Sequence, residues 1–392
     1  MSPPQAYIDA RRNAKSTNPL HHVILDEKPY FPFLTVDPSD HSSILYAVAQ
    51  FVRISRATGL SDDNDASCWP VSQVQGGITN QLFRVDMSFK NGVGKVQEPY
   101  RESILVRVFG AVGMIDRDIE NATFAALTKQ GLAPAYFGRF SNGRLEAWCD
   151  GMRPLTTREL AEPAISKQIA HELRRIHARF ELPADLKAYH SPKRPNLWTQ
   201  LHAWMEQASV ATFLTDKDTQ RANQLELKDV PKEIQWLKQT VVPVDAQVSF
   251  CHNDALAANI LYNPTTGNIR LIDFEYGGMN YIAFDIANHW NEFAGGTDTG
   301  ITNYDWFPTK DQQLFFLRSY LEKEGEQNGD ATVVQELYHQ VQAFILVNHL
   351  YWGLWAFNQA AVEGCERFDY LLYAKNRLAR YFDCKSERKD DE

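Results

Sequence analysis

An α+β chain of two lobes is predicted, a small antiparallel-sheet lobe followed by a larger helical one. Three observations predict it. The 392 residues exceed the roughly 100–200 of an ordinary domain. Short strand-like runs cluster between Val71 and Cys149, bounded by turn residues. Beyond Gly151, apolar residues recur at helical spacing instead. The expected boundaries are an N-terminal extension over residues 1–40, a sheet lobe over 41–148 and a helical lobe over 149–392. At 44% hydrophobic and 23% charged the composition is that of a globular chain with a real core. Its 40 basic and 49 acidic residues give a net charge of −9 and a pI near 5.7. That argues against binding to nucleic acid or anionic lipid through bulk attraction, and leaves room for a local basic pocket. Cys68, Cys149, Cys251, Cys365 and Cys384 are scattered, with no Cys-x-x-Cys pair, so neither a disulfide framework nor a zinc knuckle is expected. The start lacks a basic stretch followed by an apolar run, and no transmembrane-length apolar segment occurs. A cytoplasmic protein is expected.

The first 40 residues are proline-rich with little periodicity. A helix is predicted over 44–60, closed by Gly59, with the acidic stretch 61–65 as a solvated loop. Strands are predicted over 71–75, 81–87 and 103–109, with 90–98 as a connecting turn. Asp116 is placed to cap a helix carrying Ile119, Phe124 and Leu127, which Gly131 and Pro134 stop. Runs over 136–140 and 144–149 flank Asn142-Gly143, the pair that favours a type I′ hairpin turn. Thr156 and Glu159 form a capping box ahead of a helix whose one face carries Ile165, Ile169, Leu173, Ile176 and Phe180. Further helices are predicted near Asn196 and Thr309 and over 332–359, with short strands over 248–252, 260–262 and 269–272. The charged run 385–392 reads as a tail.

The most specific stretch is His252-Asn253-Asp254-Ala-Leu-Ala-Ala-Asn259, followed by Asp273-Phe274-Glu275 at a strand end. Two carboxylates and an amide in this order have a joint use in kinase-type phosphoryl transfer. A loop Asp accepts the proton of the substrate hydroxyl, an Asn further along the loop holds Mg²⁺, and a strand-end Asp bridges metal and phosphates. The alternative is a surface loop of ordinary turn residues. The whole pattern arises by chance in a chain of this length with odds on the order of one in 100,000.

Such a site needs a phosphate-cradling loop and a cation in the sheet lobe. Gly76, Gly77, Thr79, Asn80 and Gln81 lie between two predicted strands, where paired glycines let backbone N–H groups approach phosphate oxygens; an ordinary hairpin turn has the same composition. Arg107 lies on a strand face with Leu105 and Phe109, as a phosphate ligand or as a solvated strand residue. Glu120 on the next helix is of the right type to orient it, or is a helix-face charge near the N-terminus.

The runs Gly76-Gly-Ile-Thr-Asn-Gln-Leu-Phe83, Leu105-Val-Arg-Val-Phe-Gly110, Asp116-Arg-Asp118, Phe250-Cys-His-Asn-Asp254, Asp273-Phe-Glu-Tyr276, Phe284-Asp-Ile-Ala-Asn-His289 and Trp352-Gly-Leu-Trp355 resemble the choline/ethanolamine kinase family, from about residue 70 to 382. The resemblance implies a two-lobed protein-kinase-like fold, ATP and Mg²⁺ as cofactors, and phosphorylation of an amino alcohol for phospholipid synthesis. It makes Asp254 the catalytic base and Asn259 and Asp273 the Mg²⁺ ligands. Arg107 and the loop from Gly76 to Gln81 become the phosphate contacts, and Ala147, Trp148, Cys149 and Arg153 the hinge beside adenine. Trp352 and Trp355 share a helix face, which alone indicates core packing. The resemblance instead puts them in a cage for the ammonium with Tyr276, Glu292 and Tyr370, where aromatic faces attract a cation. His252 and Asp285 are read as structural residues at the site.

Within the family the catalytic loop and Asn288-His-Trp-Asn-Glu-Phe-Ala-Gly295 resemble ethanolamine kinases, and ethanolamine is the expected acceptor, with choline as the alternative. Three departures bear on the acceptor: Ala287 stands for Gly, Trp290 for Phe, and Val347-Asn-His-Leu-Tyr351 is polar where the family is more apolar. Another small-molecule kinase of the same fold, such as an aminoglycoside or homoserine phosphotransferase, would not call for the Trp pair. A catalytically silent nucleotide-binding scaffold would not need Asp254, Asn259 and Asp273 together. No nucleic-acid partner is expected, and the chain is expected to be a monomer or homodimer.

Overall fold

The computed structural model describes residues 28–55, 66–74, 80–89, 100–110, 115–225, 227–322 and 330–391. The expectations for Gly76, Gly77, Thr79, the end of the first helix and the turn 90–98 lie outside them. The chain divides into two compact units, Met1–Gly151 with Pro183–Leu186, and Met152–Leu182 with Lys187–Glu392.

The first unit holds β1 (Tyr30–Phe31), α1 (His41–Ser55), β2 (Val71–Val74), β3 (Asn80–Phe89), β4 (Tyr100–Phe109), α2 (Arg117–Lys129), β5 (Tyr136–Phe140) and β6 (Gly143–Ala147). Its sheet has the order β1-β5-β6-β4-β3-β2, antiparallel throughout except for the β1–β5 pairing. The period of two decides which side chains meet. Ile104, Val106 and Val108 of β4 join Phe83, Val85 and Met87 of β3 in a core closed by Ile44, Val48 and Phe51 of α1. Arg107 therefore points to the other face. Asp116 caps α2 as expected, its carboxylate accepting from the Asp118 and Ile119 amides, and Gly131 closes the turn beyond it at φ 72°.

The hairpin between β5 and β6 departs from expectation. Phe140 pairs with Gly143, so the loop residues are Ser141 and Asn142, and neither has the positive φ of a type I′ turn. Asn142 instead brackets the Val36 backbone, accepting from its N–H at 2.9 Å and donating to its carbonyl at 2.8 Å. Gly143 is required by proximity: an added Cβ would lie 2.2 Å from the Arg107 carbonyl oxygen.

The second unit holds β7 (Arg153–Pro154), α3 (Pro163–Arg179), α4 (Asn196–Ser209), α5 (Asp216–Asn223), α6 (Val230–Trp236), β8 (Val248–Cys251), β9 (Ile260–Tyr262), β10 (Ile269–Leu271), β11 (Gly278–Tyr281), α7 (Ile282–Asn291), α8 (Lys310–Leu321), α9 (Ala331–Glu363) and α10 (Tyr370–Asp391). Ile165, Ile169, Leu173 and Ile176 line the buried face of α3. The Thr156–Glu159 capping box forms, but on a separate 3-10 turn, Thr157–Ala161. Pro163 then starts α3, because proline at the first helical position forfeits no hydrogen bond. Residues 343–360 of α9 are buried without interruption, as an all-round apolar helix requires. The charged run from Lys385 continues α10 to Asp391 and is not a detached tail. None of the described helices is long and apolar enough to cross a membrane.

Candidate active site

Two short ladders of the second unit set the catalytic loop. β8 pairs antiparallel with β11, Cys251 opposite Gly278, and His252 to Asn259 leave the end of β8. β9 pairs with β10, Ile260 opposite Leu271, and one further bond from the Ile272 amide to the Asn259 carbonyl at 3.0 Å keeps Asn259 beside the segment entering Asp273. Asn253 and Asp273 are the described non-glycine residues with positive φ, 67° and 63°. Asn and Asp tolerate this region better than other side chains because they bond locally.

Asp285, at the start of α7 and fully buried, ties the loop down. Its carboxylate accepts from the His252 amide at 2.8 Å and the Asn253 amide at 2.7 Å. It also meets His177 Nε2 at 2.9 Å, and His177 Nδ1 in turn meets the Tyr320 hydroxyl at 2.8 Å. Burial alone would raise its pKa, but the His177 and His252 contacts hold it below the usual carboxylate range. His252 Nε2 lies 2.8 Å from the Ile272 carbonyl, which can only accept. Nε2 therefore carries the proton, and Nδ1 is left to accept from the Asp254 amide at 3.2 Å. Burial lowers the His252 pKa, in keeping with a neutral ring. Asn253 Nδ2 donates to the Tyr276 carbonyl at 2.8 Å, and its Oδ1 accepts from Asn280 at 2.7 Å.

Asn259 Nδ2 donates at 3.0 Å to both the main-chain carbonyl and the carboxylate Oδ2 of Asp254. This fixes the amide and leaves its Oδ1 without a donor among the described residues. Burial pushes the Asp254 carboxyl well above the usual range, and Glu292, Asp273 and Glu275 add to the push. The carboxylates of Asp254, Asp273 and Glu275 beside the Asn259 amide oxygen form the hard-oxygen donor set that suits Mg²⁺.

The aromatic residues expected around an ammonium come together in the same unit. The Tyr276 and Trp352 ring centroids lie 5.3 Å apart, Trp352 and Trp355 5.4 Å, and Trp355 and Tyr370 5.7 Å, all edge to face. Trp355 Nε1 donates to the Tyr276 hydroxyl at 2.8 Å, and Tyr370 donates to Glu363 at 2.9 Å. Glu292 is buried, and Arg377 Nη1 donates to it at 3.3 Å. Burial raises the Glu292 pKa, and Arg377 opposes that.

In the first unit, the register of β4 and β6 sets Arg107 directly opposite Arg144. Like charges so placed repel, and Glu146 Oε1 offsets this by accepting from Arg107 Nε and Arg144 Nε, each at 2.7 Å. Flanked by two guanidinium groups, Glu146 is held at a pKa of about 2 in spite of its burial. Glu120 accepts from Arg144 at 2.6 Å and Arg117 at 2.8 Å, and the charges of Arg144, Arg117 and Arg107 hold its carboxyl below the usual range in spite of burial. Asn80 accepts from Arg117 at 3.1 Å, while Gln81 is exposed. Ala147 donates its amide to the Ala135 carbonyl at 2.8 Å, and the Arg84 guanidinium lies 4.9 Å over the Trp148 ring. Cys149 is partly exposed. Arg153, in the second unit, bonds Glu159 at 2.5 Å.

Sequence reasoning missed Arg144 and Glu146, although their alternation along one strand put them on one face. It also missed His177, Tyr320, Asn288, Asn348 and Arg377, whose partners lie far off in the chain.

Residues 71–382 match the family model described as choline/ethanolamine kinase. Ethanolamine kinase 1 of Homo sapiens is 36% identical over 325 residues, spanning 79% of this chain and 68% of that protein. An Arabidopsis thaliana protein described as probable choline kinase 1 is 32% identical over 317 residues, 80% of this chain and 86% of its own length. The crystal structure of choline kinase from Cryptosporidium parvum Iowa II aligns with a TM-score of 0.70 at 26% identity, over 90% of this chain and 97% of that one. The fold is the protein-kinase-like one expected, a small sheet lobe and a larger helical lobe.

Proposed function

The chain belongs to the choline/ethanolamine kinase family, and we propose that it transfers the γ-phosphoryl group of ATP to the hydroxyl of ethanolamine, with choline as the alternative acceptor. The observation that carries this reading is the joining, within one unit, of the Asp254–Asn259 clasp to a box of Tyr276, Trp352, Trp355 and Tyr370 beside a buried Glu292. Asp254 takes the proton of the acceptor hydroxyl as its oxygen bonds to the γ-phosphorus and ADP departs. Its carboxylate is aimed by Asn259 Nδ2, and the loop that carries it is anchored by Asp285. The aromatic faces and Glu292 hold the ammonium, so that binding remote from the reacting oxygen orients the hydroxyl. Mg²⁺ held by Asn259 Oδ1 and Asp273 would supply positive charge against the phosphates of ATP.

In the first unit, Arg107 is the proposed phosphate ligand. Support comes from its buried guanidinium, whose Nε donates to Glu146, which holds its charge in one place on the strand. Residues 76–81 and the stretch from Ala147 to Cys149 are proposed for the phosphates and adenine on the resemblance of their sequence. A cytoplasmic setting is part of the same proposal and is supported by five thiols outside any disulfide.

The test is an ADP-release assay on the purified chain with Mg-ATP, comparing kcat/KM for ethanolamine and choline. A preference for ethanolamine of about 100-fold, roughly 2.7 kcal/mol of discrimination, is expected. A ratio near one makes the enzyme dual, and no turnover of either alcohol overturns the reading.

A further inference from the structure

One side chain that takes no part in the reaction ties the acceptor box together. Asn348 lies on α9 one turn before Trp352, so the two share a helix face. It is fully buried. An indole N–H and a guanidinium can only donate, and that fixes every amide between them. Trp352 Nε1 donates to Asn288 Oδ1 at 2.6 Å, and Arg377 Nη2 donates to Asn348 Oδ1 at 2.6 Å. Asn348 Nδ2 completes the run by donating to the same Asn288 oxygen at 2.8 Å. Asn291 Nδ2 gives Asn348 Oδ1 a second donor at 2.9 Å. Arg377 continues to Glu292 through its other terminal nitrogen. The aromatic wall and the carboxylate of the box, contributed by helices distant in sequence, are thus joined through one amide.

Resting on the reading of this box as an amino-alcohol site, we infer that Asn348 is a positioning residue for the acceptor, holding Trp352 through Asn288 and Glu292 through Arg377. This accounts for a polar residue in the stretch 347–351. The arrangement also bears on the class of ammonium. Glu292 Oε2 accepts no hydrogen bond among the described residues. That carboxylate oxygen is an acceptor, and a primary ammonium brings three N–H donors where a trimethylammonium brings none. The registered box therefore favours the primary amine.

The experiment is steady-state kinetics of full-length Asn348→Leu with ethanolamine, choline and ATP varied in turn. The ethanolamine KM is expected to rise about tenfold, the equivalent of about one of the three buried hydrogen bonds that the substitution removes. The choline KM should rise less, and the ATP KM should stay within about twofold. A merely structural role would lower thermal stability and leave this split absent. Asn348→Asp is the second variant, in case the first does not fold. It keeps the Arg377 contact and sets an oxygen against Asn288 Oδ1, and it should raise the same KM. Combined with Trp352→Phe, either variant should give less than the sum of the single effects, because both act through Asn288. An unchanged ethanolamine KM in a folded variant, or full additivity, overturns the role of Asn348. A wild-type chain that phosphorylates neither alcohol overturns the reading of the box itself.

Discussion

Asn253 and Asp273, held at φ 67° and 63°, sit on either side of the chemistry, one before the base and the other at the proposed metal position. A non-glycine residue in this region costs about 1–3 kcal/mol, and the surroundings of Asn253 show what offsets it. Its amide is bound by Asp285, its side-chain nitrogen by the Tyr276 carbonyl and its side-chain oxygen by Asn280. The loop is over-determined, so Asp254 departs from β8 in one direction only. Replacing Asp254 by Asn preserves the shape but removes the proton acceptor. The expected result is a kcat lower by roughly 1,000-fold, with ATP affinity within about twofold of wild type, read by single-turnover kinetics and nucleotide titration. Retained turnover would remove Asp254 from the base role.

The hairpin of β5 and β6 shows what the sequence could disclose of an element and where it stopped. Asn142-Gly143 was legible as a turn because both residues break strands. Its type was not, since Asn142 spends its side chain on Val36, 106 positions away, and no local pattern records such a partner. The Thr156–Glu159 box was likewise legible as a cap, but the proline that starts the longer helix overrode its placement. The loop Asp, the Asn beyond it and the Trp pair were legible because their spacing is local. Arg377, 85 positions from Glu292, was not. Gly143 carries a prediction at this scale. A methyl there would meet the Arg107 carbonyl at 2.2 Å and the Phe140 ring at 2.5 Å. Gly143→Ala is expected to destabilise the chain by about 1–3 kcal/mol, as overpacking does, and to raise the ATP KM by shifting the strand that carries Arg107. Urea melts and ATP kinetics check it, and wild-type values in both would show that β4 yields without consequence.

Over the whole molecule, the net charge of −9 conceals a segregation that composition could not reveal. The interior of the first unit gathers Arg107, Arg117 and Arg144 around Glu120 and Glu146. In the second unit Glu292, Asp273 and Glu275 crowd Asp254. The two carboxylate sets therefore answer acid with opposite signs. The folded pKa of Glu146 is about 2, against 4.5 for a free glutamate. Its contribution is full above about pH 4.5 and is lost as pH falls towards 2, at most about 3 kcal/mol. Asp254 is shifted upward, so without a divalent cation its ionised form costs stability at neutral pH, and acidification through the raised pKa relieves that cost. Glu146→Gln is accordingly expected to be less stable than wild type at pH 7 by about 3–5 kcal/mol, since it strands two buried guanidinium groups. That deficit should shrink as the pH is lowered towards 2. Asp254→Asn in metal-free buffer should be more stable than wild type at pH 7 despite its lost turnover, the exchange of stability for function that active sites make. Equilibrium denaturation of both variants across this range decides it: a Glu146→Gln deficit constant with pH would mean that its carboxylate is not held ionised by Arg107 and Arg144, and an Asp254→Asn variant less stable than wild type would mean that the crowding around the base is already neutralised within the folded chain.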